Sequence, residues 1–349
     1  MKILITWSKW NIDIGESLVS AFSLLGYDAE IFYDNFPDRT ITQAKIFRKL
    51  GLWELYKKFL FKYKKIVSDR FFEKVIKSKP ELVFVIGGLN FLPDIILKIR
   101  NTLHIYVVNW VIDDPAFSNI YESSMLYQLS AYSHFFLVDE AWRDSLIFNN
   151  GNTFYLPHAA DEKIFYPIPL KKDIDIFFAG SVSPKYPNTS SGVFRGFILD
   201  FLVKSGFKIT AIIPDGNEIF NYFPSLKQMR IISNFASPAE INKFYNRSKI
   251  VLNINAPQLK TDFSERLFSI ALSKNFQLVD FKSKLGVLFP EGAVISFSNF
   301  KELGEKTSFY LQHNEERDRT ASIAYEHASR YHTYMQRAKY IVEKIYEDK

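Results

Sequence analysis

Two adjacent carboxylates, Asp113 and Asp114, follow directly on the apolar run HIYVVNWVI and precede Pro115. Carboxylates at the C-terminal end of a parallel strand lie on the edge where open α/β sheets hold ligands, and one of them can take a proton from a nucleophile as general base. The same Asp-Asp-Pro also suits a turn, with aspartate capping the segment after it. Gly180-Ser181 ends a second apolar run, Ile174 to Ala179. A strand that stops at a small polar turn before a helix offers backbone N–H groups to an anion, although an ordinary turn has the same composition. Arg195, on the next helical stretch, carries a planar fork of donors matched to phosphate oxygens, or else pairs with a surface neighbour. Arg266 opens a helix just after the run IVLNIN, which ends at Asn255. Helix dipole and cation together favour a diphosphate there; the alternative is an exposed first-turn arginine. His158, in the connector YLPHAAD, either touches ligand or caps a strand.

The elements that must position these groups alternate regularly. In the first half, apolar strands are predicted at 3–7, 29–33, 81–86, 104–110 and 134–138, with helices at 15–25, 93–100 and 121–133 between them. The stretch 41–78 reads as helical by period, with Phe47, Leu50, Trp53, Leu55, Phe59 and Phe61 gathered on a face. The second half repeats the pattern, with strands at 175–179, 208–213, 229–232, 250–255 and 277–280. Helices lie between them at 193–205, 238–247 and 265–273, and the C-terminal third is largely helical. Ser237 is a fitting N-cap for the helix at 238–247. Strands apolar throughout and separated by helices indicate parallel sheets covered on both faces. The fold class is therefore α/β, as two facing Rossmann-like domains joined near Pro157 to Pro169, with a deep interdomain cleft between the C-terminal ends of their strands. No G-x-G-x-x-G follows the first strand and there is no Walker loop, which argues against a dehydrogenase or P-loop NTPase.

Composition narrows the chemistry. Among 349 residues there is no cysteine, so disulfides, thiolate metal sites and cysteine nucleophiles are excluded. The start, MKILITWSKW, reads as a short strand and not as a signal peptide, and no apolar run is long enough to span a bilayer. A soluble, cytoplasmic protein is expected, peripheral at the inner membrane face if its basic segment docks there. The net charge of +6 is concentrated: Ala44 to Lys79 holds twelve Lys/Arg against three Asp/Glu, leaving the remainder net acidic. A partner recognised by charge should dock on that segment, either an anionic membrane surface or a nucleic-acid backbone; a solvated lid helix is the plainer reading.

The order of WVIDDP, YLPHAAD, DIDIFFAGS, an arginine on the next helix, IVLNIN, R-x-F-x and a late HTY-x-x-R (His332, Thr333, Tyr334, Arg337) resembles the CgeB-like, spore-maturation group of glycosyltransferases. More distantly it resembles the phage DNA glucosyltransferases. The resemblance runs over nearly the whole chain and is weakest between Thr40 and Lys79. It implies a GT-B enzyme with an N-terminal acceptor domain (1–160), a C-terminal nucleotide-sugar donor domain (161–330), and a last helix (331–349) crossing back onto the N-domain. The implied donor is a nucleotide sugar such as a UDP- or TDP-sugar, with no metal and no other cofactor.

The same resemblance assigns roles to residues. Gly180 and Ser181 would line the donor diphosphate, with Arg195 and Arg266 neutralising it as the nucleoside diphosphate leaves. His158, Asn255, Phe268 and Ser269 complete the donor set, and Gly15 would approach the phosphates from the N-domain. Asp113, or its neighbour Asp114, would deprotonate the acceptor hydroxyl. Two positions depart from the group's pattern. Ser269 stands where a glutamate usually grips the ribose, and Lys274 where a glycine is expected after the helix. Those departures keep alternatives open, a phage-type DNA-base glucosyltransferase or a non-catalytic GT-B binding protein.

Overall fold

The computed structural model describes residues 1–8, 14–116, 129–146, 152–182, 189–214, 218–233 and 235–347. Its chain forms two compact units, Met1–Pro157 together with Arg337–Lys349, and His158–Gln336.

The first unit begins with β1 (Lys2–Trp7), α1 (Ile14–Leu24) and β2 (Asp28–Tyr33), followed by α2 (Arg39–Lys49) and α3 (Trp53–Ser78). Next come β3 (Leu82–Ile86), α4 (Pro93–Leu103), β4 (Tyr106–Val111), β5 (His134–Leu137) and the short β6 (Thr153–Tyr155). All six strands are parallel, in the order β2-β1-β3-β4-β5-β6. Every residue of β3 is buried, as a strand covered on both faces requires. The part of the helix expected at 121–128 lies outside the described residues.

The stretch expected as one helical run from 41 to 78 is instead a hairpin of α2 and α3, broken where Gly51 adopts φ +72°. A left-handed residue cannot continue a right-handed helix, and glycine takes it without a Cβ penalty. The break also resets the helical phase, so the face expected from Phe47 to Phe61 does not form as one stripe. The inward cluster is Ala44, Tyr56 and Leu60, flanked by Ile41, Phe47 and Phe59, while Leu50, Trp53, Leu55 and Phe61 point outward.

In the second unit β7 (Ile174–Ala179) leads to α5 (Thr189–Lys204), β8 (Ile209–Ile212), α6 (Ile219–Tyr222) and β9 (Arg230–Ser233). Then follow α7 (Pro238–Arg247), β10 (Ser248–Asn253), α8 (Arg266–Leu272), β11 (Gln277–Asp280), α9 (Leu285–Leu288) and β12 (Ile295–Phe297). The unit ends on α10 (Phe300–Gln312), α11 (Asn314–Tyr331) and the start of α12 (Tyr334–Glu347), whose remainder belongs to the first unit. The sheet is again parallel throughout, ordered β12-β11-β10-β7-β8-β9. Strand order therefore reverses direction between β7 and β10, the switch point at which open α/β sheets hold ligands. The expected N-cap at Ser237 is present as a full capping box with Glu240.

The C-terminal helix closes the first unit. Arg337 Nε donates to the Pro157 carbonyl at 2.7 Å, the Tyr340 ring lies 6.4 Å from that of Phe136, and Ile341 and Ile345 are buried. Among the described residues no helix is long and apolar enough to cross a membrane.

Candidate functional site

The second unit's switch point gathers four of the expected residues. Arg195, one turn into α5, is buried, and its guanidinium is held by backbone: Nε donates to the Ile254 carbonyl at 3.1 Å and Nη1 to the Ser181 carbonyl at 3.0 Å. The reading of Arg195 as a surface side chain is thereby corrected. A buried guanidinium stays charged only if its donors are met, and these two carbonyls take two of its five N–H groups. Arg266, half-buried at the start of α8, reaches the same spot from the other side. Its Nη1 donates to the Ala179 carbonyl at 2.9 Å and its Nη2 to the Ile254 carbonyl at 3.4 Å. The two arginines thus share one acceptor, at the end of β10.

Gly180 lies where they meet. A Cβ built on it would fall 3.3 Å from Arg266 Nη1 and 3.8 Å from Arg195 Nη1. The missing side chain, and not a free N–H, is what this glycine contributes: its N–H donates to the Ile212 carbonyl at 3.1 Å, so the expectation of an anion-cradling amide at 180 is corrected. Ser181 follows, half-buried, its carbonyl already engaged by Arg195.

The loop between β10 and α8 is held by Asn255, which is fully buried. Its backbone N–H and Nδ2 both donate to Asp280 Oδ1, at 2.7 and 3.0 Å, and its Oδ1 accepts from the Ser264 N–H at 3.0 Å. Asn255 therefore anchors the segment that delivers Arg266. A second set of buried amides fixes α8 from below. Gln277 Nε2 donates to the Leu267 carbonyl and Gln277 Oε1 accepts from Asn253 Nδ2, while Ser273 Oγ donates to Asn242 Oδ1. Each such bond leaves a buried group unsatisfied if cut, so the position of Arg266 is over-determined.

Phe268 and Ser269 point into the body of the unit. The Phe268 ring packs against Phe289 and His332, at centroid distances of 6.0 and 4.9 Å. Ser269 is buried, donates to the Arg266 carbonyl at 3.3 Å and hydrogen-bonds Tyr245. Burial pushes the Tyr245 hydroxyl up to about 12, against the opposing pull of the Arg266 charge and of Ser269. His158 is buried in the connector whose Ala160 bridges Thr333.

Lys274 adopts the left-handed backbone that favours glycine. Its φ is +51°, and it closes α8 with Lys274 N–H to the Ala271 carbonyl and Asn275 N–H to the Ile270 carbonyl. A lysine in the left-handed region is strained, whatever its side chain gains 5.8 Å over the Tyr325 ring. Lys274→Gly is expected to raise stability by about 1 kcal/mol. Urea unfolding checks this, and a lower midpoint in the variant would refute the strain.

In the first unit, Asp113 is exposed just beyond β4, whereas Asp114 is buried and its Oδ1 accepts the Ala116 N–H at 2.9 Å, an Asx turn. Gly15 begins α1 against the sheet: a Cβ there would come within 2.7 Å of both Ile31 Cδ1 and Trp7 Cβ, so packing alone demands glycine. One group was not anticipated. Asp34, at the end of β2, is fully buried and accepts from Ser8 Oγ, with Asn90 donating to Ser8 at 3.5 Å. Burial raises its carboxyl from 3.8 to about 6. The only sequence signal was an aspartate one residue past a strand. Among the described residues no three His, Cys, Asp or Glu side chains gather as a metal-binding group.

Comparison with known proteins agrees with this architecture. Residues 215–343 match the family described as Glycosyl transferase-like. The chain is 31% identical over 192 residues to Spore protein CgeB of Bacillus subtilis (strain 168), an alignment covering 50% of this chain and 56% of that protein, so it spans little more than half of that relative's length. Among solved structures, sucrose-phosphate synthase of Thermosynechococcus elongatus superposes with a TM-score of 0.68 at 11% identity, covering 99% of this chain and 98% of that one. A structure described as trehalose-6-phosphate from E. coli bound with UDP-2-fluoro glucose reaches 0.70 at 10% identity over 98% of both chains. Anabaena HepE in complex with UDP gives 0.62 at 10% identity, over 99% of this chain and all of that one. The fold is GT-B, and the resemblance to the CgeB-like group is borne out.

Proposed function

We propose that this chain, whose residues 215–343 match the Glycosyl transferase-like family and whose fold is GT-B, moves a sugar from a nucleoside-diphosphate donor to an acceptor hydroxyl. The observation that carries the reading is the convergence of Arg195 and Arg266 on the bare backbone of Gly180, at the switch point of the second sheet. Two guanidinium groups held by carbonyls bring positive charge to the backbone of Gly180. A diphosphate fits that charge, and the attraction strengthens as negative charge builds on the leaving group. The arginines supply the counter-charge that a divalent ion supplies elsewhere, which makes transfer metal-independent.

Asp113, exposed just beyond β4 where Asp114 is buried and accepts the Ala116 N–H, is the group assigned to take the acceptor proton. Asn255 acts as a positioning residue behind Arg266. A ribose grip by residue 269 has no support here, because the Ser269 hydroxyl is engaged with Tyr245 and the Arg266 carbonyl. The donor is accordingly held chiefly through its diphosphate.

The test is a thermal-shift panel of UDP, TDP, GDP, CDP and ADP, with Mg²⁺ or with chelator. A nucleotide at about 100 times its dissociation constant adds roughly 2.7 kcal/mol of stability, and one base is expected to stand out with or without metal. Asp113→Asn should retain that shift while losing sugar transfer. A flat panel would overturn the donor site.

A further inference from the structure

The α2–α3 hairpin carries a surface that sugar transfer does not require. Its inward side is satisfied by the Ala44, Tyr56 and Leu60 cluster, yet its tip displays Ile46, Leu50, Leu52, Trp53 and Leu55 to solvent, with Leu50 65% exposed and Phe61 on α3 58% exposed. These are not core residues in search of a core. The left-handed turn at Gly51 throws them to the end of the hairpin, away from the face that packs.

Cations outnumber acids around the tip, where Lys57 holds Glu54 at 2.8 Å and Lys65 holds Asp69 at 3.1 Å. Lys45, Arg48 and Lys49 are exposed on α2; Lys58, Lys62 and Lys65 are exposed on α3. On α3 the spacing of Leu55, Lys58, Lys62 and Lys65 places them along one side, opposite the buried Tyr56, Leu60, Tyr63 and Val67. Apolar groups at the end of a hairpin with a basic collar behind them match the layering of an anionic bilayer. Acyl boundary lies at the tip and phosphate headgroups one turn back. A nucleic-acid backbone would reward the cations but gain nothing from exposed leucine and isoleucine, so the apolar tip decides between the two. With no helix able to span a bilayer among the described residues, the hairpin lies on the surface and does not cross it.

We infer that the α2–α3 tip docks this protein on an anionic phospholipid membrane, seating Leu50, Leu52 and Trp53 at the acyl boundary while the flanking lysines and arginine pair with headgroups.

The experiment is co-sedimentation of the full chain with vesicles of phosphatidylcholine alone or with about 30 mol % phosphatidylglycerol, alongside a duplex-DNA binding assay. The expected result is retention on the anionic vesicles only, weakened by salt, with a blue-shifted tryptophan emission that Trp53→Phe removes. The double variant Leu50→Glu/Leu52→Glu, altered only at exposed positions, should bind vesicles about tenfold or more weakly. Its thermal shift with nucleotide should be unchanged, which separates this proposal from the donor site. Failure to bind anionic vesicles would overturn the proposal. Salt-sensitive binding indifferent to the double variant would reduce the contact to charge alone and overturn the seated tip. Tighter retention on DNA than on vesicles would hand the surface to nucleic acid.

Discussion

Replacing Arg266 with alanine is expected to lower kcat/KM for sugar transfer by roughly 10²–10³-fold, the usual consequence of removing one preorganised donor from a site of developing charge. The effect on folding should be far smaller. Arg266 is half-buried and its hydrogen bonds to protein go to the Ala179 and Ile254 carbonyls, one of which Arg195 also occupies. Losing them costs about 1 kcal/mol. Lysine at this position restores charge but not the fork, so Arg266→Lys should recover only part of the loss. Arg195→Ala behaves differently, because that guanidinium is buried and ties Ser181 to Ile254; its loss should depress stability along with activity. Activity and melting temperature measured side by side for the pair are decisive. If Arg266→Ala turned over donor within about threefold of the parent, the arginine pair would not be the diphosphate site.

The second large effect concerns pH. Asp34 titrates near 6 in the folded chain against 3.8 when exposed, because burial outweighs the hydrogen bonds from Ser8 and Asn90. Between those values the folded state keeps a proton that the unfolded state has lost, so this group's contribution to stability falls as pH rises through the window and is flat on either side. The shift corresponds to about 3 kcal/mol. Asp34→Asn cannot ionise. The stability difference, variant minus parent, should therefore rise by about 2.4 kcal/mol between pH 4 and pH 7, most of the full shift, whatever constant offset the amide introduces. Urea unfolding across that range reads the difference directly, and parallel profiles for the two proteins would refute the buried, protonated carboxyl.

Much of the frame was legible because its strands are apolar on both faces. LVFVI and IVLNIN can only be interior strands of a covered sheet, and with alternating helices they prescribe two parallel, Rossmann-like halves. The three-residue strands β6 and β12 were not legible, since TFY and ISF are too short to show a period. A helix period was legible over 41–78, but its phase was not, because nothing in the composition showed that Gly51 would take φ +72° and divide the run. At the site, residue types and order carried Arg195, Arg266 and Gly180. Their depth and mutual geometry depended on which carbonyls end β7 and β10, which is a property of the sheet and not of any motif. Ser269 shows the limit most plainly. The resemblance assigned its position to the ribose, while its hydroxyl is engaged with Tyr245.

The first unit is discontinuous in the chain, and that governs how it is made. Its closing piece, Arg337 onward, is synthesised only after all of His158–Gln336. On a ribosome the sheet β1 to β6 emerges first but lacks the cover of Tyr340, Ile341 and Ile345 while the second unit is translated and folds. For that interval the Phe136 face of an otherwise complete sheet is open to misassociation, the period when chaperones act. The same connectivity makes the second unit a contiguous piece of sequence, able to close its own sheet without waiting for anything downstream.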